Sequence, residues 1–164
     1  MTTRLFRNSL FAALAVGLAL APAAASASGG ITASAGQGSL TGRVAMTVPV
    51  TVSCSAFWDP ATQQLINEAV FVSVEQASGN QIARGSGTVP APMSGMLPFP
   101  CDGSTTTIPV SILADPTGPP FHGGTAVVTG QASAAAGTSC GFPGCYYNFV
   151  SASGSFGPQQ IKVH

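Results

Sequence analysis

The sequence predicts an all-β domain: a sandwich with Greek-key connections and about seven to eight short strands. Two patterns carry this expectation. Apolar residues recur with period two in several short segments, as strands with one buried face require. Turn formers separate those segments, with 20 Gly and 13 Pro in 164 residues. No internal repeat is evident, and the length suits one domain.

The first segment is a targeting signal rather than part of the fold. Arg4 and Arg7 precede an uncharged apolar run, Leu10 to Ala21. Pro22 breaks the run, and small residues follow up to Ala27. This is the three-part layout of a secretory signal peptide. The run is much shorter than the roughly 20 residues that span a bilayer, which disfavours a retained anchor. Cleavage is expected after Ala27, with Ala25 as the second choice. Residues 28–42, rich in Ser, Gly, Ala and Thr, read as a flexible lead-in with room for one short strand. The domain proper is expected over 43–164.

From Arg43 the alternation is strict. Val44, Met46, Val48, Val50, Val52 and Cys54 occupy even positions, with polar or small residues between. Pro49 cannot donate a ladder hydrogen bond and predicts an edge or a bulge. Pro60 to Ala69 is the one stretch that suits a helical turn, with Asp59 as cap and Pro60 at the first helical position. Ala69 to Gln76 returns to period two, with Val70, Val72 and Val74 on one face. Ser78-Gly79-Asn80 is a hairpin turn, and Gln81 to Arg84 begins the return strand. Val89 to Pro100 reads as a Pro/Gly-rich loop, and Asp102-Gly103 as a turn. Thr107 to Ala114 places Ile108, Val110 and Ile112 inward. Asp115 to Pro120 is a turn-rich connection. Thr125 to Gln131, Tyr146 to Ser151 and Gln159 to Val163 complete the strands.

All four cysteines lie beyond the leader: Cys54, Cys101, Cys140 and Cys145. An even count in an exported chain reads as disulfides, with three connectivities open. The Cys140-Gly-Phe-Pro-Gly-Cys145 spacing suits a local loop, which leaves Cys54 with Cys101. Loop-closure entropy gives about 4 kcal/mol for the long bridge and about 2 kcal/mol for the short one. A metal site fits poorly, because neither of the two histidines adjoins a cysteine and no paired CxxC occurs. No cofactor is expected.

Charge excludes further classes. The chain has 5 basic and 5 acidic residues. Beyond the leader, Arg43, Arg84 and Lys162 face five carboxylates, about −2 net. No nucleic acid partner and no polybasic membrane patch is expected from such a surface.

No catalytic set is complete in the sequence. His122 is the internal histidine available to a hydrolase triad, but no G-x-S-x-G elbow accompanies it. Asp59 and Asp102 lie near the two ends of the expected Cys54–Cys101 bridge, yet both read as turn residues. Glu68 and Glu75 have opposite parity and do not share a strand face. Calcium bound by loop carboxylates ranks slightly above acid–base chemistry. Aromatics border the cysteines: Phe57, Trp58, Phe142, Tyr146, Tyr147 and Phe149. Cover for the sulfurs is the ordinary role for such side chains. The candidate ligand contacts are Trp58, Phe142 and Tyr146.

Four segments carry a resemblance: Val48-Pro-Val-Thr-Val-Ser-Cys54, Val72 to Gly79, Cys101-Asp-Gly103 and Pro119 to Val128. Together they resemble a group of small secreted bacterial proteins classed as a domain of unknown function. The resemblance implies an immunoglobulin-like sandwich and no activity. Cys140-x4-Cys145 is similar to the last disulfide of neocarzinostatin-type chromoprotein apoproteins, secreted sandwiches that hold an apolar chromophore in a cleft. Their other disulfide is more local than Cys54–Cys101, and no binding residue carries over. The expectation is a secreted, monomeric, non-enzymatic module with an extracellular interaction or envelope-associated role and an unknown partner. The alternative is a carrier for a small apolar or carbohydrate ligand. A secreted hydrolase ranks third.

Overall fold

A computed structural model describes residues 30–55, 57, 63–90, 98–138 and 150–164. The described chain is all-β. In chain order the strands are β1 (Ile31–Ala35), β2 (Ser39–Thr41), β3 (Ala45–Cys54), β4 (Gln63–Ser78), β5 (Gln81–Pro90), β6 (Thr105–Ala114), β7 (Gly124–Thr138) and β8 (Val150–Val163). They form one antiparallel sheet in the order β1-β3-β6-β5-β4-β7-β8, with β2 also on β3.

That sheet is nearly closed as a barrel, and its two weak seams are built differently. At one seam β5 and β6 share two residue pairs, Gly85 with Ala114 and Ser86 with Leu113. The inward positions of β5 are Ala83, Gly85, Gly87 and Val89. A Cβ on Gly87 would collide with the Ser111 carbonyl, so glycine lets β6 cross directly against this face. At the other seam β1 and β8 run parallel without a ladder. The Gln159 amide takes its place: Nε2 donates to Ala35 O at 2.7 Å, and Ala35 N donates to Oε1 at 3.2 Å. Below it, Gly38 N donates to Lys162 O at 2.8 Å and His164 N to Gly38 O at 3.0 Å.

The even residues of β3 and β6 point inward as their alternation requires. Met46, Val48, Val50, Val52, Cys54, Ile108, Val110 and Ile112 are buried in one core with Val70, Val72 and Val74 of β4. Val44 departs from the pattern. It precedes β3 and is exposed.

The structure moves several boundaries. Within the expected helical turn 60–69, the described residues 63–69 are not helical. Gln63 to Ala69 belongs to β4, where ladder pairing with β7 overrides the local helix signal. A register shift between Leu65 and Asn67 joins this early part to the rest. The expected lead-in contributes β1 and β2, and Ile31 is fully buried. Val89 and Pro90 end β5 instead of opening a loop. β7 runs on through Ala132 to Thr138, and β8 joins the described end of the first expected piece, Val150 and Ser151, to Gln159–Val163 as one strand.

Pro49 lies inside β3, opposite Pro109 of β6, rather than at an edge or bulge. Its carbonyl accepts from Gly36 N at 2.7 Å, so its missing donor faces the point where β1 has ended. The hairpin turn is as expected: Ser78 pairs with Gln81, and Gly79 takes φ 63°.

Candidate functional site

The two barrel ends are each closed by a phenylalanine on a proline-rich loop. Inward residues of β4 hold both loops. At the end where β4 finishes, Phe121 of Pro119-Pro120-Phe121 is buried, and Gln76 is buried beneath it. The Gln76 amide pairs with both backbone polar groups of His122: Nε2 donates to His122 O at 2.7 Å, and His122 N donates to Oε1 at 3.0 Å. Both ends of the amide are satisfied.

The opposite end carries the disulfide. Cys54 and Cys101 are bonded, with Cα atoms 4.5 Å apart, and Gly103 N donates to Cys54 O at 2.9 Å. This agrees with the long bridge read from the sequence. Two residues before Cys101, Phe99 is buried between Pro98 and Pro100. Neither proline has an N–H, so Phe99 supplies the single backbone donor of the three. That N–H donates to Glu68 Oε2 at 3.2 Å.

Glu68 is the unusual residue of this end. It follows the inward phase of Val70, Val72 and Val74 and has no exposed surface. Across the sheet it faces Ala134 of β7, which in turn faces Ala152 of β8. Its neighbours on that wall are methyl groups. Oε1 has no hydrogen-bond partner. Burial raises its pKa above the ordinary carboxyl value, and the Phe99 N–H opposes the rise only in part. A neutral acid is the form this setting favours.

The catalytic candidates are held by backbone. His122 has Nδ1 2.7 Å from Gly123 O and Nε2 2.9 Å from Ala77 O. Asp102 accepts from Ser104 N at 2.9 Å, and Asp115 from Thr117 N at 2.9 Å. Bonds from the Ser104 side chain and backbone lower the Asp102 carboxyl from its ordinary value, and those from the Thr117 backbone and side chain lower that of Asp115. His122 sits beside the end of β4 and Asp102 beside the disulfide, so the barrel's length separates them. Glu75 points outward, as its parity requires, and pairs with Arg84 at 3.0 Å in solvent. Phe57 is half-buried against the core. Trp58, Phe142, Tyr146, Asp59, Cys140 and Cys145 lie outside the described residues, as do Tyr147 and Phe149.

Among the described residues, no group of three His, Cys, Asp or Glu could hold a metal, and no helix is long and apolar enough to cross a membrane. An open depression lies outside the β5–β6 seam, lined by Arg84, Ser86, Leu113 and Asp115 among others. No protein-family model, curated protein or solved structure matches the chain.

The sequence reading missed the Glu68–Phe99 and Gln76–His122 contacts. Part of the signal was present. Glu68 and Gln76 share the even phase of the β4 valines, and a polar residue on a buried face demands a partner. Treating 60–69 as helical concealed that phase for Glu68.

Proposed function

We propose that the protein is a secreted, immunoglobulin-like Greek-key module that acts by binding at the extracellular face or envelope, without catalysis. The observation that carries this reading is the use of its polar side chains. His122, Gln76, Asp102, Asp115 and Gln159 are each bonded to backbone, where they fasten loops and seams. A structural disulfide suits an oxidising compartment, in keeping with the leader read from residues 1–27. The test is a hydrolase panel run on secreted protein with H122A and D102N. The reading expects no turnover in any of the three, and lower thermal stability for H122A. Hydrolysis abolished by either substitution overturns it.

One arrangement favours the carrier reading as second. The strand ends that flank residues 55–62, 91–97 and 139–149 all lie at the disulfide end. Those stretches contain Trp58, Phe142 and Tyr146. Saturable quenching of Trp58 fluorescence by an apolar or carbohydrate probe, lost in Y146A, would raise this reading above the first.

A further inference from the structure

β4 holds a loop at each barrel end, and the two holds differ by one chemical feature. Gln76 pairs with both backbone polar groups of His122. Glu68 pairs through Oε2 alone and leaves Oε1 buried without a partner. A glutamine at 68 would accept the same bond from Phe99. A carboxyl adds a removable proton.

We propose that Glu68 and Phe99 form a proton-controlled latch: the neutral acid holds Phe99 inside the disulfide end of the barrel, and loss of the proton releases it. The neutral form leaves only a hydroxyl unpaired. The carboxylate would carry a full charge among apolar groups with one N–H for support, a far more costly state. Among the described residues, nothing nearby offsets that charge. β7 and β8 face Glu68 with Ala134, Ala132 and Ala152, and the 98–101 segment brings Phe99 and the disulfide. Among the described residues, the titratable groups next along these two segments face away: Glu75 of β4 points outward to Arg84, and Asp102, beside Cys101, is exposed and bonded to Ser104. Burial dominates the titration of Glu68, with no charged partner contributing.

Water therefore has to reach the carboxylate, and among the described residues the 98–101 segment is the wall most easily moved. β4, β7 and β8 are tied by long ladders, whereas Pro98 and Pro100 offer no N–H to any neighbour. The disulfide sets the limit of the motion, because Cys101 stays bonded to Cys54 while Phe99 swings out. Release presents an apolar ring at the barrel end. In the closed form Glu68 and its alanine neighbours have almost no accessible surface, which leaves no room for a bound ligand.

The test is amide hydrogen exchange by NMR on the oxidised protein, from about pH 4 to about pH 9, expressed as protection over the intrinsic rate. Phe99 protection is expected to be flat at low pH, then to fall about tenfold per pH unit as Glu68 ionises, then to level off. Val72 protection should not follow this local fall. In E68Q the Phe99 profile should be flat. Phe99 protection without pH dependence, or an unchanged fall in E68Q, overturns the proposal. Should E68Q fail to fold, the Glu68 carboxyl carbon is titrated in the native sequence. The latch requires its midpoint to coincide with the pH at which the fall in Phe99 protection levels off, and titration with Phe99 still fully protected refutes it.

Discussion

Glu68 and Gln76 occupy equivalent inward positions, and their substitution should have different consequences. Gln76→Ala leaves the His122 N–H and carbonyl without their partner beneath Phe121. Unfolding in urea should show a loss of about 1–3 kcal/mol, the usual cost of stranding a buried polar group. Glu68 contributes a pH dependence instead. Its folded pKa is raised, so its stabilisation is complete below the unfolded value, near 4.5, and is lost as pH rises through the folded value. Asp102 and Asp115 act oppositely. Their folded values are depressed, so their smaller, solvent-screened contributions are lost as pH falls below 3.8. Urea midpoints across pH should therefore peak in the mildly acid range. Glu68→Leu should flatten the decline on the neutral side, and stability that climbs through neutral pH in the native sequence would contradict this assignment.

At the scale of elements, the strands with strong alternation were legible and those built from small residues were not. β3 and β6 follow directly from Met46 to Cys54 and Ile108 to Ile112. The second half of β7 did not, because Ala132-Ser133-Ala134-Ala135-Ala136 has little intrinsic strand preference. It is a strand because β4 and β8 pair on both its sides. β8 was broken in the sequence reading for a related reason. The register shift opposite Val128 and Gly130 changes its inward phase from Ala152 and Phe156 to Ile161 and Val163. β5 was legible only at its start, since Gly85 and Gly87 are inward without being apolar in pattern. The disulfide end was foreseen through its cysteines, whereas the polar contacts holding the two loops depend on tertiary placement. Seam chemistry gives two tests. Gln159→Ala removes two hydrogen bonds between β8 and Ala35, and should cost about 1–3 kcal/mol with faster exchange at the Ala35 amide. Gly87→Val sets a branched side chain against the Ser111 carbonyl. Its thermal midpoint should fall by several degrees or more, because backbone there cannot yield without opening the β5–β6 seam.

For the whole molecule, the long disulfide links the end of β3 to the segment that leads into β6, and both strands carry much of the core. Cys54 and Cys101 are separated by 47 residues. Loop-closure entropy puts their bond at about 4 kcal/mol of stabilisation. The double variant C54A/C101A should lose a comparable amount in urea unfolding, and an unchanged midpoint would mean that the unfolded chain gains little from release. The sparse charge of the chain fits the same picture. With few ions on the surface, cohesion comes from the β ladders, the valine core and backbone-directed amides. Surface ion pairs such as Glu75–Arg84 add little.

The central claim is an exported, oxidised barrel, and non-reducing peptide mapping of the protein recovered from outside the producing cell tests it most directly. The account predicts a chain beginning at Ser28, a linked Cys54–Cys101 peptide, and Cys140 joined to Cys145. Free thiols throughout an unprocessed intracellular chain, or a Cys101–Cys140 peptide, would contradict it.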